Sequence, residues 1–160
     1  MGSRPFEETG KLMTFFTSDY GKVRIIAKGA KRLTSRFMGR LETLSLVEIM
    51  AAEGRNLDIL SQCEMIESFP QVKSDGDRLQ KGLYFARVVD SATMDQQKNP
   101  NLFKLLALSL KKLNEREDLG KTEQYFEVNF LRAEGIFKTS QPPDVLIGEH
   151  LGVDIRPWKM

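Results

Sequence analysis

Lys22, Arg24, Lys28, Lys31, Arg32, Arg36 and Arg40 fall within YGKVRIIAKGAKRLTSRFMGRL, residues 20–41, and no Asp or Glu interrupts them. The whole chain carries a formal charge of only +2, so positive charge is concentrated in this stretch rather than spread. The chemistry open to such a run is capture of a polyanion. Ammonium and guanidinium groups meet phosphates, while interleaved β-branched and aromatic residues supply a strand and a ring for stacking. Phe37, between Arg36 and Arg40, is the ring so placed, with core packing as its alternative. A solvated, lysine-protected edge strand is the plainer interpretation of the same residues. Ordinary surfaces intersperse both signs, and the missing acids count against it. No element that would read base edges accompanies the run, so little sequence preference is expected.

Catalytic constellations are harder to assemble. His150 is the single histidine and stands in a weakly patterned region, so it reads as structural rather than catalytic. Cys63 is the single cysteine, which excludes an internal disulfide and a cysteine-rich zinc site. It alternates with Ser61 and Met65 as an inert core thiol on a strand would. Asp75 and Asp77 read as a turn with a helix cap before they read as metal ligands. Gly29 and Gly39 are isolated and make no phosphate-cradling motif. The chain is therefore expected to be no enzyme and to need no metal or cofactor.

The elements that must position the cations come in two kinds. Up to about Phe69 the pattern is that of strands: LMTFFT (12–17), a turn at Ser18-Asp19-Tyr20-Gly21, then KVRIIAK (22–28). In the second of these Val23, Ile25 and Ala27 point one way, while Lys22, Arg24, Ile26 and Lys28 point the other. Gly29 ends the strand and a long basic loop follows. LSLVEIMA (44–51) and LDILSQCEMIE (57–67) flank a hairpin turn at Glu53-Gly54-Arg55-Asn56; the second has helical propensity, but the hairpin context makes it a strand.

From Asp75 the period becomes helical. Leu79, Leu83, Ala86 and Val89 share one face within 77–94, and Asn99-Pro100 opens a second helix striped by Leu102, Leu105, Leu106, Ser109, Leu110 and Leu113. A third runs from about Thr122 to Glu134 and stops at Gly135. The sequence thus predicts an α+β chain, a small β-barrel followed by an all-helical domain. Its expected divisions are 1–70 for the strands, 71–137 for the helices and 138–160 for an irregular, loosely attached tail broken by Pro142-Pro143 and Gly148.

One hundred and sixty residues, 41% hydrophobic, bury a core as one domain or two small ones. The longest apolar runs, such as LLALSL at 105–110, fall far short of the roughly 20 residues that span a bilayer. MGSRPFEETG contains no apolar signal segment. These features predict a soluble protein of a reducing compartment, cytoplasmic and with no membrane partner.

The segments SRPFEETGKLMTFFTSDYGKVRIIAKGAKRLTSRFMGRLETL, EGRNLDILSQCEMIESF, LFKLLALSLKKL and YFEVNFLRAEGIF resemble the bacterial RecO recombination mediators over about residues 3–137. The specific part is GKVRIIAKGAKRLTSRFMGRLE. The resemblance implies an OB-fold leading into a helical domain, a nucleoid-associated location and a non-enzymatic role. That role is binding single- and double-stranded DNA, annealing complements and, with RecR, helping RecA displace single-strand-binding protein. Compared with the family pattern, the chain is expected to lack the first strand, the C-terminal helices and the four-cysteine zinc module some members carry. It reads as a truncated member whose barrel has exposed edges.

The family also contacts the acidic C-terminal tail of single-strand-binding protein through its helical part. Such a tail needs an apolar pocket with a cation beside it. Candidates are Phe130 with Arg132 on the third helix, near Phe126 and Leu131, and Lys104, Lys111 and Lys112 beside the leucine stripe of the second; interior rings and solvated cations are the alternative. A protein-interaction module whose basic patch meets an acidic partner therefore stands beside the DNA-binding interpretation.

Overall fold

The computed structural model describes residues 2–6, 10–28 and 40–160, the side chains of 4–6 excepted. Two units form, residues 1–68 with 95–98, and residues 69–94 with 99–160.

The first unit is a five-stranded sheet: β1 (Gly2–Phe6), β2 (Gly10–Thr17), β3 (Gly21–Ala27), β4 (Leu46–Ala52) and β5 (Asp58–Glu67). The order is β1-β2-β3-β5-β4, every pair antiparallel except β3–β5. This is an OB-fold-like meander crossed once, and among the described residues it is not closed: β1 and β4 are its edges. The expected OB-fold-like barrel is thus seen, among the described residues, as an open sheet. A strand that the sequence pattern did not reveal begins the sheet, as Gly2–Phe6 pairs with β2 from Gly2↔Thr14 to Phe6↔Gly10. Arg4-Pro5 disguises that strand in the sequence, but an edge tolerates a residue without an N–H.

Alternation sorts β3 in part, since Ile26, expected to share the face of Lys22 and Arg24, is itself buried at 7% exposure, as is its cross-strand neighbour Leu12. Ile25 and Ala27 are buried with Met13, Leu60 and Cys63, and Val23, Phe15, Leu41, Val47 and Ile49 pack around them. Gly21 begins β3 at φ 69°, and a Cβ there would stand 2.1 Å from the Gln97 carbonyl oxygen. The position demands glycine for its backbone angle and for the close approach of residues 95–98.

The second unit contains α1 (Pro70–Ser74), α2 (Gly76–Ala92), α3 (Pro100–Glu115), α4 (Leu119–Ala133), α5 (Pro143–Leu151) and α6 (Arg156–Lys159). Asp75 caps α2 by accepting from the amides of Asp77 and Arg78, which is the cap expected of this segment. Asn99 accepts from Leu102 N at 3.1 Å to start α3. At the end of α4, Gly135 lies at φ 74°, with Gly135 N donating to Arg132 O and Ile136 N to Leu131 O; this is a Schellman closure.

The buried centre is aromatic. Phe85 stacks on Phe126 with centroids 4.3 Å apart, and Tyr84 and Phe130 flank Phe126 at 6.3 and 6.1 Å. The predicted stripe on α2 is shifted: Tyr84, Phe85, Val88 and Val89 are buried, whereas Leu83 is 46% exposed.

The expected irregular tail is corrected as well. Residues 143–151 and 156–159 are helical, and Leu146, Ile147 and Ile155 are buried. Pro143 occupies the first turn of α5, where its missing N–H costs nothing, and Gly152 at φ 68° ends it. Of the apparent breakers, Pro142-Pro143 marks the helix start, whereas Gly148 lies within α5.

Candidate nucleic-acid interface

The site starts from the pleat of β3. Lys22 and Arg24 share the face opposite the core, and Lys28 is exposed in the turn just beyond the strand. At about 3.3 Å per residue the three cations extend over about 20 Å. Register adds Thr14 opposite Arg24 and Phe16 opposite Lys22 to the same face. Tyr20, 73% exposed, stands in the turn ahead of β3. A half-buried ring beside a lysine and an exposed ring at the strand's mouth are the apolar partners that a stacked base requires. Sequence reading picked out neither ring, although the alternation LMTFFT carried the signal for Phe16.

Arg24 already has an anion. Its Nη2 lies 3.2 Å from Asp95 Oδ2, and both side chains remain about half exposed. Asp95 arrives on the connection between α2 and α3. That connection joins the sheet unit through Gln96 N donating to Lys22 O at 2.8 Å and a parallel bridge between Lys22 and Asp95.

Arg40 turns toward β5: its Nη1 donates to Cys63 O at 3.5 Å, and Cys63 Sγ donates to Arg40 O at 3.6 Å. It anchors the return of the basic stretch rather than extending the β3 row. Lys31, Arg32, Arg36 and Phe37 lie outside the described residues.

The helical candidates separate into surface and interior. Lys104 and Lys111 are exposed on α3, and Lys112 places its Nζ 4.7 Å from the centroid of the Tyr125 ring. Arg132 is exposed with its guanidinium 5.1 Å from the Phe137 ring. Phe130 is a correction. It is fully buried, as are Phe126 and Leu131, because α4 turns that face inward against the aromatic centre. It cannot receive a partner's ring.

The apolar surface near these lysines is instead Leu108, 38% exposed, with Lys104 one turn before and Lys111 and Lys112 one turn after. Its i, i+4 spacing to two of them was visible in the sequence but hidden by the stronger leucine stripe.

Of the groups considered for catalysis, Cys63 is buried and desolvation pushes its thiol up. His150 lies on α5 with Nε2 2.9 Å from Glu134 Oε2 and its ring 6.3 Å from Phe130. Among the described residues no three His, Cys, Asp or Glu side chains gather as metal ligands would.

Residues 1–69 match the family described as Recombination protein O N terminal, and residues 73–137 the one described as Recombination protein O C terminal. The DNA repair protein RecO of Halalkalibacterium halodurans is 33% identical over 131 residues, which cover 82% of this chain and 52% of that protein. Its namesake in Geobacter metallireducens is 31% identical over 135 residues, 84% of this chain and 55% of the relative. The one in Desulforamulus reducens is 31% identical over 161 residues, 99% of this chain and 59% of the relative. The chain spans about half the length of these curated relatives.

Proposed function

The chain belongs to the RecO family, and on that premise we propose that it serves DNA repair as a non-catalytic, DNA-binding recombination mediator. The observation that carries this is the outer face of β3. Lys22 and Arg24 align there within a stretch that has no acid from residue 20 to 41, on a sheet of OB-fold-like order. Ammonium and guanidinium groups on a strand bind phosphates of any sequence, and Phe16 and Tyr20 offer ring faces to unpaired bases. Single strands are then held extended with their pairing edges outward, which is the condition for annealing a complement. Lys28, Lys31, Arg32, Arg36 and Phe37 belong to the same proposed interface, with Arg40 tying its end to β5. Double-stranded DNA is held through phosphates alone.

With RecR as partner, such a protein helps RecA load on DNA coated by single-strand-binding protein. Leu108 with Lys104, Lys111 and Lys112 favours a second contact of different chemistry, an acidic tail ending in an apolar residue, as in the C-terminal tail of single-strand-binding protein. Arg132 beside Phe137 is a further cation for it.

The test is a salt titration of mixed-sequence single-stranded DNA binding. Reversing Lys28, Lys31, Arg32 and Arg36 to Glu is expected to weaken binding on all sequences alike. It should also flatten the slope of log affinity against log salt by about 3, since each lost phosphate contact removes about 0.7. A quadruple variant with the parent's slope and affinity would reduce the stretch to a solvated face.

A further inference from the structure

Arg24 is the cation in the middle of the β3 row, and its charge is already answered. The answering group does not come from the neighbouring strand. Asp95 is carried in by residues 95–98, and several features hold those residues against β3. Gln96 N donates to Lys22 O at 2.8 Å, Lys22 and Asp95 form a parallel bridge, and Gly21 leaves no room for a Cβ beneath Gln97. The carboxylate is thus delivered to the guanidinium at 3.2 Å by a fastened backbone rather than by a wandering side chain. Both partners stay about half exposed, at 52% and 51%, so a phosphate can reach the same guanidinium from solvent. A carboxylate and a phosphate oxygen present the same acceptor geometry to an arginine fork.

We infer that Asp95 is an internal stand-in for phosphate that occupies Arg24 until nucleic acid displaces it. This rests on the reading of the β3 face as the DNA interface. Its consequence is a built-in competition. The free protein keeps Arg24 neutralised and ordered, so weak anions gain little from it. A polyanion that also engages Lys22 and Lys28 can replace the carboxylate and gain one more phosphate contact. The cost of displacement is small, because an exposed ion pair is weak.

Single-stranded DNA binding by the parent, D95N, D95S, R24A and the R24A/D95N pair, each followed over a range of salt, tests the inference. D95N and D95S are expected to bind about two- to fivefold tighter at low salt, in keeping with the strength of an exposed pair. Their advantage should shrink as salt rises, and R24A should bind more weakly with a slope shallower by about 0.7. In the R24A background the Asp95 change should have no effect. If D95N and D95S match the parent, Asp95 does not compete for Arg24, and if D95N helps equally with Arg24 removed, Asp95 acts only as distant charge; either result overturns the inference. A parent that binds no DNA would overturn the interface itself, whereas a parent that binds with unchanged Asp95 variants overturns the stand-in alone.

Discussion

A lone thiol takes its character from what surrounds it, and Cys63 is 2% exposed on the core face of β5 with its Sγ turned toward Arg40 O. Burial disfavours the thiolate and raises the pKa above the ordinary thiol value, the nearby Arg40 charge offsetting this only in part. The folded protein is expected to resist iodoacetamide at neutral pH, and to take up one label per chain in denaturant. Intact mass after timed quenching checks this; rapid native labelling would place the thiol at the surface. At this scale the sequence was legible wherever strand alternation decides the facing, as for Cys63, Lys22 and Arg24. Two residues were not. Asp95 meets Arg24 only because the fold returns a distant connection to β3, which no local spacing records. Phe130 stands two positions from Arg132 on α4, yet one faces the aromatic centre and the other solvent. An aromatic near an arginine on a helix does not reveal which face is covered.

The element that departs furthest from its sequence is α6, four residues long and far too short to persist alone. One lysine fastens it. Lys159 Nζ lies 2.7 Å from Glu123 Oε1, 3.0 Å from Glu127 Oε1 and 3.7 Å from Asp144 Oδ2. Tyr84 OH donates to Glu127 at 2.9 Å, and Lys81 also reaches Glu123. Arg87 covers the Trp158 ring at 4.7 Å. Burial works against the charge on Lys159, but its bonds to Glu123 and Glu127 outweigh that and hold its pKa above the ordinary lysine value. Burial likewise works against ionised Glu123 and is outweighed by Lys159 and Lys81, so its pKa falls; for Glu127 burial wins and the pKa rises. The signs differ accordingly. Glu123 contributes stability above the usual carboxylate pKa and loses it as pH falls through its lower folded value. Glu127 opposes folding as pH climbs through its raised value. Lys159→Met is therefore expected to cost about 2–3 kcal/mol at pH 8, where buried Glu127 loses its cation and partly buried Glu123 keeps only Lys81. At pH 5 the loss should be smaller, because Glu127 can take up a proton. Urea unfolding at both values decides it, and an equal loss would assign the effect to lost aliphatic packing. Helices with ordinary punctuation, such as α3 after Asn99-Pro100 and α4 before Gly135, were legible. The last two helices were not, since what holds α6 is a set of charges from α2, α4 and α5.

Over the whole molecule, a formal charge of +2 conceals two cationic surfaces, each built within one unit. The β3 face has rings beside a row of charges, which suits phosphates and bases. The α3 surface has Leu108 ringed by Lys104, Lys111 and Lys112, which suits an apolar end carrying carboxylates. If net charge alone drew the ligands, any reversal of cations would weaken both partners together, since long-range attraction does not distinguish location. If the two chemistries are local, the effects separate. Lys104→Glu with Lys111→Glu is expected to weaken binding of a peptide ending in Asp-Ile-Pro-Phe roughly tenfold, as charge-assisted contacts are lost. The salt slope for single-stranded DNA should stay that of the parent. Reversal of Lys28, Lys31, Arg32 and Arg36 should do the converse, flattening the DNA slope and sparing the peptide. Calorimetry with the peptide and salt titration with the DNA, run on the same folded variants, give the four readings. A crossed pattern assigns one ligand to each unit. Parallel losses would mean that a single diffuse field, rather than either constellation, governs association.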